Sequence, residues 1–135
     1  MIKITCDTSK LENQIKSFLK DIDKASEDAV KKSCADIKED AKKLCPVDSG
    51  DLRDSISDSY ENASNEHTGY VYTDIPYAPY VEFGTLRKAP NPFMYPAYKE
   101  NEEFIRRRII DAINKMRWWY DRYAQKDCTD SLRGY

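Results

Sequence analysis

The sequence lacks the features by which many small chains reveal their chemistry or a membrane location. No run approaches the roughly 18–20 consecutive apolar residues that would span a bilayer, and the N-terminus has neither the apolar core nor the cleavage site of a signal peptide. We therefore expect the chain to be made in the cytoplasm. Only four glycines are present, far apart in the chain, so a glycine-rich phosphate loop is excluded.

Histidine and paired cysteines are also scarce. His67 is the only histidine, so a metal site built from several imidazoles is impossible. The cysteines, Cys6, Cys34, Cys45 and Cys128, contain no CxxC pair. Cys34 and Cys45 occupy helical positions that suit small buried hydrophobic side chains. The sequence predicts free thiols, with no metal and no cofactor.

A catalytic site is equally hard to assemble. Ser49, His67 and Asp48 could be combined as a Ser/His/Asp arrangement, but no GxSxG elbow exists and Ser49 lies in a turn before a helix. An exposed strand-edge position is the better interpretation of His67. Glu82 stands alone in an apolar setting, and we expect it to accept hydrogen bonds from a loop or from Arg53. The sequence therefore predicts a protein that is not an enzyme.

Charge is plentiful, but no segment is strongly basic. Charged residues make up 34% of the chain, the mean hydropathy is −0.81 and the formal net charge is −2. Binding to phosphate backbones needs a basic balance that is missing here. In the run Arg106–Arg108, Glu102 and Glu103 lie within one turn as ion-pair partners. A solvated or ion-paired face is preferred, and a small nucleic-acid-binding protein using Arg106–Arg108 with Trp118 and Trp119 is the alternative.

Two amphipathic patterns predict long helices. Over residues 9–45, apolar or small residues recur at spacings of three and four, with one phase step between Ala29 and Val30. This predicts one helix, or two helices broken near that step, with Thr8 or Ser9 as the cap. A second pattern predicts a helix that begins at about position 94 or 96 and ends at about position 124.

The segment between the helices begins with a turn. Pro46 ends the first helix, because a proline disfavours helical geometry in the residue before it. Asp48 or Ser49 is placed to cap a short helical turn in which Leu52 and Ile56 stack four residues apart.

Alternating residues predict two antiparallel strands, over residues 56–60 and 67–74, joined by the polar loop "ENASNE". Tyr70 and Tyr72 fall on one side of the second strand. Pro76 and Pro79 then interrupt the sheet, and Gly84 marks a sharp exit into the loop "LRKAPNPF".

Together these elements predict an α+β fold, with a long N-terminal helix, a small antiparallel β-sheet and a C-terminal helix. We expect the two helices to cover one face of the sheet. The expected organisation is a single domain over residues 1–125, followed by a tail at residues 126–135 that is flexible or ordered by a partner.

Three stretches resemble one known family. They read "CPVDSGDLRDSI", "YAPYVEFGT" and "PFMYPA", and they lie within about residues 40–98. In order and approximate spacing they are similar to the signature of a tail-component family of tailed bacteriophages, the tail-completion or head–tail joining proteins of the neck. Cys45 stands where alanine is common, and Ser49 replaces the usual threonine. The residues that match the signature are Pro46, Asp48, Ser49, Gly50, Leu52, Arg53, Ser55, Ile56, Tyr77, Tyr80, Glu82, Phe83, Gly84, Thr85, Pro92, Phe93, Pro96 and Ala97.

The resemblance implies a structural protein without enzymatic activity, located in the neck or tail of the virion. It implies a ring, of six copies, at the head-proximal end of the tail. The implied partners are other copies of the chain and tail terminator, tail tube or head–tail connector proteins. DNA would at most pass through the lumen of the ring, and no membrane is involved. Long charged helices and aromatic, proline-rich loops suit such an assembled subunit.

A closed ring requires two different contact patches on each subunit. We expect the sheet edge and the loop at residues 86–93 to supply them, with a contribution from the second helix. The interface candidates are Leu86, Arg87, Lys88, Phe93, Trp118 and Trp119.

The stretch "PYAPYVEFGT" is expected to form a rigid corner that leaves the sheet. Some of the rings of Tyr77, Tyr80 and Phe83 should pack inward. Glu82 should anchor the "VDSGDLR" turn, through a backbone amide or through Arg53, so that the first two motifs form one structural unit.

Overall fold

The computed structural model describes residues 8–64 and 66–130, and the side chains of these residues except at positions 119, 120 and 123–130. The fold is α+β, as the sequence predicts. The elements in chain order are α1 (Ser9–Leu44), α2 (Asp51–Ser55), β1 (Ser57–Ala63), β2 (Glu66–Tyr72), α3 (Ala78–Phe83) and α4 (Met94–Asp130). Among the described residues, no helix is both long and apolar enough to cross a membrane.

The first helix is continuous, so the phase step near position 30 does not break it. Its 36 residues span about 54 Å. Thr8 is the N-cap residue, but its side chain makes no capping hydrogen bond, so that part of the prediction is wrong. Instead, its carbonyl oxygen accepts a hydrogen bond from the Glu12 amide at 2.9 Å. The helix ends at Leu44, two residues before Pro46, as predicted.

The last helix begins at Met94, as predicted, but continues to Asp130, past the expected end near position 124. The segment after Ala124 contains no proline, and its first glycine is Gly134, so nothing in its composition forces an earlier end. Residues 131–135 of the expected tail lie outside the described residues.

The first strand ends three residues later than predicted, at Ala63, and the second starts one residue earlier and ends two residues earlier, at Tyr72. They pair antiparallel in a register that runs from Ser57 opposite Tyr72 to Ala63 opposite Glu66. Four of the six residues of the expected "ENASNE" loop therefore belong to strands, because the backbone ladder tolerates polar residues that have weak strand preferences. Tyr70 and Tyr72 share the exposed face, as predicted, whereas Val71 packs against the core.

The packing of the helices differs from the prediction that both long helices cover one face of the sheet. The first helix packs on the sheet, and α4 packs along α1 in the antiparallel direction. Between α4 and β2 lies an apolar cavity of about 320 Å³. Its lining residues are Val30, Ser33, Cys34, Ile37, Gly69, Val71, Met94, Tyr98 and Ile105.

The core lies where α1, α2, α3 and the start of α4 meet. Leu52 and Ile56 are buried there, as predicted from their spacing. Cys34 and Cys45 are free thiols in buried positions, which confirms their assignment as small hydrophobic residues, and burial raises the pKa of both. The buried core cluster consists of Ala41, Cys45, Leu52, Ile56, Ala78, Phe93 and Ala97.

Gly69 lets the sheet approach α1 closely. A Cβ atom at this position would lie 2.2 Å from Cys34 Sγ and 3.0 Å from Val30 Cγ1. We expect Gly69→Ala to lower the free energy of unfolding by about 1–3 kcal/mol, because the sheet must move away from the helix. Cys34→Ala removes the sulfur and should restore part of that loss in the double variant. Urea denaturation of the four proteins measures the coupling, and strictly additive losses would contradict this packing.

A polar contact holds the start of α4 on the end of α1. Asn101 Nδ2 donates to Asp40 Oδ2 at 2.8 Å and to the Ala97 carbonyl oxygen at 2.9 Å. Lys43 Nζ also contacts Asp40, at 3.1 Å. The Asn101 bond, and then the Lys43 bond, lower the pKa of Asp40 below its ordinary value of 3.8.

This lowered pKa predicts a pH dependence. Because the folded-state pKa of Asp40 is depressed, its contribution to stability is complete above pH 3.8 and is lost as the pH falls through the folded value. The difference in unfolding free energy between wild type and Asp40→Asn should therefore shrink below pH 3.8. Urea denaturation from pH 7 to pH 3 measures it. In an Asn101→Ala background the pH dependence should weaken, and an unchanged dependence would contradict the assignment.

Candidate interaction surface at the α3 corner

The predicted interruption of the sheet is a short helix that the sequence interpretation missed. Strand pairing stops before Pro76, as expected, and α3 follows. Pro79 lies in its first turn, where a proline costs no helical hydrogen bond. A proline at such a position is typical of a helix start, so Pro79 could have indicated α3 in the sequence. Gly84 ends α3 with φ of 77° and ψ of −178°.

Glu82 connects α3 to the start of α4. Its Oε2 atom accepts hydrogen bonds from the backbone amides of Phe93 at 2.9 Å and Met94 at 3.0 Å. Its Oε1 atom accepts one from the amide of Tyr95 at 2.9 Å. These amides belong to the unpaired N-terminal turn of a helix, where the dipole also favours a negative charge. Glu82 is 9% exposed and acts as the cap of α4.

The expected partner of Glu82 is therefore wrong in part. Its donors are backbone amides, as expected, but they lie at the start of α4 in the third motif and not in the "VDSGDLR" turn. Arg53 pairs instead with the neighbouring Asp54 at 2.9 Å, which lowers the pKa of that carboxyl. The second and third motifs, not the first and second, are joined by Glu82.

The first motif forms α2, with Gly50 as the N-cap at φ 93°, so the prediction of Asp48 or Ser49 as the cap is wrong. Ser49 Oγ accepts a hydrogen bond from the Asp51 amide at 3.4 Å and donates to Asp51 Oδ2 at 2.6 Å. A cleft of about 520 Å³, the Asp48 cleft, separates this motif from α3. Its lining residues are Pro46, Val47, Asp48, Ser49, Gly50, Leu52, Tyr77, Val81, Lys88 and Asn91.

The chain after Gly84 is a tightly held turn. The Thr85 amide donates to the Lys88 carbonyl oxygen at 2.8 Å. Thr85 Oγ1 accepts hydrogen bonds from the amides of Arg87 at 3.3 Å and Lys88 at 3.1 Å. The Asn91 amide donates to the Val81 carbonyl oxygen at 2.9 Å and ties the turn to α3. Leu86 lies at the tip and is fully exposed.

The aromatic rings of α3 and of its N-cap residue Tyr77 are exposed to solvent, contrary to the expectation that some pack inward. Tyr77, Tyr80 and Phe83 are all exposed, Phe83 to 80%. The buried face of α3 is made by Ala78 and Glu82, because a six-residue helix has room for only one inward face.

The interface candidates do not form one surface. Leu86, Arg87 and Lys88 lie together at the tip of the turn, whereas Phe93 is 1% exposed and belongs to the core, so its assignment as an interface residue needs correction. Trp118 is exposed on α4, about 36 Å along the helix from Met94, with the Arg122 guanidinium 4.8 Å from its ring centroid. The side chain of Trp119 lies outside the described residues.

His67 is not the exposed edge residue that the sequence suggested. Its side chain is 9% exposed, and Nε2 contacts Asp23 Oδ1 at 2.8 Å. Its Nδ1 atom contacts the Tyr60 hydroxyl. Since Ser49 bonds to Asp51, the structure does not bring His67 and Ser49 into one hydrogen-bonded arrangement. In the described part of the chain, no group of His, Cys, Asp and Glu residues could hold a metal ion.

The arginine run is ion-paired, as predicted. Arg106 lies 3.9 Å from Glu102, and Arg107 lies 3.1 Å from Glu103. Arg108 turns the other way, toward α1, with its NH2 group 2.6 Å from Asp36 Oδ2 and its NH1 group 3.1 Å from Ser33 Oγ. The contacts of Arg108 join residues of two different helices, so the spacing of residues within one helix could not predict them.

The structure thus combines an α+β fold with a corner of exposed aromatic residues. The chain belongs to the family described as "Bacteriophage HK97-gp10, putative tail-component", whose model matches residues 9–84. It is thus a structural component of a bacteriophage tail, found in the virion with other phage structural proteins as its partners. No curated protein matches the chain, and no solved structure does.

Proposed function

We propose that this chain is a tail-completion or head–tail joining protein that assembles as a ring of six copies at the head-proximal end of the tail. The observation that carries the proposal is the concentration of exposed large apolar residues around α3. Single exposed apolar residues are normal, but several large ones on one short segment of the chain suit a contact surface. The exposed residues are Tyr77, Tyr80, Phe83, Leu86, Tyr95 and Tyr98.

The rigidity of the corner supports this proposal. Glu82 fixes α3 to α4, and the Thr85 turn is closed by backbone hydrogen bonds. A surface that is already ordered loses little conformational entropy when it binds. Other copies of the chain and tail terminator, tail tube or head–tail connector proteins are the proposed partners. The division into a domain of residues 1–125 and a tail of residues 126–135 remains part of this proposal.

The alternative of nucleic-acid binding through Arg106–Arg108 is less favoured. Each of these arginines contacts an acidic residue, and Arg108 is committed to the contact between α1 and α4. Phosphate binding needs cations that are free to neutralise the backbone. In the proposed ring, DNA would only pass through the lumen.

Native mass spectrometry and negative-stain microscopy test the proposed function. The purified chain should form a ring of six copies, alone or when mixed with tail tube, terminator or connector proteins of its phage. A strict monomer in every mixture, together with DNA binding that falls steeply with salt, would overturn the proposal in favour of the nucleic-acid alternative.

A further inference from the structure

A second cleft lies at the corner, on the other side of α3 from the Asp48 cleft. This Asp74 cleft has a volume of about 520 Å³ and a mostly apolar lining that includes Ile75, Pro79, Phe83 and Phe93. Asp74 stands at the cleft and makes no hydrogen bond or ion pair with any residue that the structure describes. The cleft is therefore apolar with a single free negative charge.

The turn at residues 85–88 has the complementary character. Leu86 projects fully into solvent at its tip. Arg87 and Lys88 follow it directly, both exposed, and neither forms an ion pair within the described chain. The turn therefore presents one exposed apolar side chain, Leu86, here called the knob, beside two positive charges without an ion-pair partner. The hydrogen bonds of Thr85 and the bond between Asn91 and Val81 hold the turn rigid.

The turn and the Asp74 cleft lie on opposite flanks of α3. The cleft is lined by Ala78, Glu82 and Phe83, which share one side of this short helix. Val81 lies on the other side, where its carbonyl oxygen holds the turn, and Lys88 lines the Asp48 cleft there. A subunit therefore carries the knob on one flank and an unfilled cleft on the other.

We propose that the Leu86 turn of one copy inserts into the Asp74 cleft of a second copy, with Arg87 and Lys88 facing Asp74. The contact joins two different patches, so it is heterologous and repeats from copy to copy until a ring closes. Phe83 and Tyr95, both exposed at the cleft, enlarge the buried area around the knob. This inference rests on the proposed ring and identifies the surfaces that build it.

The test uses two variants of the full chain. Leu86→Asp removes the knob, and the double change Asp74→Arg with Phe83→Ser removes the cleft. Each variant alone should associate at least about tenfold more weakly than wild type, because truncating a central contact residue typically has effects of this size. Mixed together, they should form a heterodimer, because the first variant keeps its cleft and the second keeps its knob. Native mass spectrometry measures both results.

Two controls keep the outcomes distinct. Leu19→Asp, on an exposed face far along α1, should leave assembly unchanged, and circular dichroism should show every variant folded. If Leu86→Asp fails to fold, Arg87→Glu with Lys88→Glu takes its place. A Leu86→Asp variant that assembles like wild type, or that loses only binding to another tail protein, would overturn this inference and leave the ring standing. A wild type that stays monomeric in all mixtures would overturn the ring itself.

Discussion

Replacing Glu82 by alanine should lower the free energy of unfolding by about 3–5 kcal/mol, a large share of the 5–15 kcal/mol typical of a domain. The change leaves the amides of Phe93, Met94 and Tyr95 without their acceptor. The Phe93 bond is buried, so water cannot replace the carboxylate there at no cost. Urea denaturation, followed by circular dichroism, measures the loss.

Two variants show whether the charge or the oxygen atom matters. Glu82→Gln keeps one acceptor oxygen without the charge and should lose about 1–2 kcal/mol. Glu103→Ala removes an exposed carboxylate from the same region of the chain and should change stability by less than about 0.5 kcal/mol. An equal loss for Glu82→Ala and Glu103→Ala would show that Glu82 does not hold the start of α4.

Gly84→Ala should lower the free energy of unfolding by about 2–4 kcal/mol. With φ of 77° and ψ of −178°, Gly84 occupies a region that only glycine adopts readily. A Cβ atom there would also lie 2.7 Å from the Pro90 nitrogen and 2.9 Å from the Lys88 carbonyl oxygen. Both neighbours are backbone atoms, so the whole turn must move.

Ala89→Ser, just after the same turn, is the matched control for Gly84→Ala. Position 89 is exposed, so this change should leave stability within about 0.5 kcal/mol of wild type. Limited proteolysis at the turn gives a second readout, because Gly84→Ala should expose the segment and Ala89→Ser should not. Equal cleavage in both variants would contradict the strain assigned to Gly84.

The elements with a clear period could be predicted from the sequence. The helix of α1, its stop before Pro46 and the shared burial of Leu52 and Ile56 all follow from local rules, and the structure confirms them. The first strand is longer than predicted because Glu61, Asn62 and Ala63 pair in a backbone ladder although they have weak strand preferences. Helix α3 was missed because six residues are too few to establish a helical period.

The contacts within the corner around α3 were harder to predict from the sequence. That Glu82 needs donors could be inferred from its apolar surroundings, but not that the donors belong to the third motif. Some of the rings of Tyr77, Tyr80 and Phe83 were expected to pack inward, whereas Ala78 and Phe93 are the residues buried there. The residues of a short helix that face inward are determined by how the helix packs against the rest of the protein. A six-residue helix is too short for the spacing of its apolar residues to predict this.

The Glu82 cap also bears on the order in which the chain folds. Its hydrogen bonds join residues only 11, 12 and 13 positions apart. The polar contacts between α1 and α4 join residues 61, 72 and 75 positions apart. Because short loops cost less entropy to close, we expect the corner to form before the helices meet. The nascent protein would thus complete its contact surface early and dock its long helices onto it last.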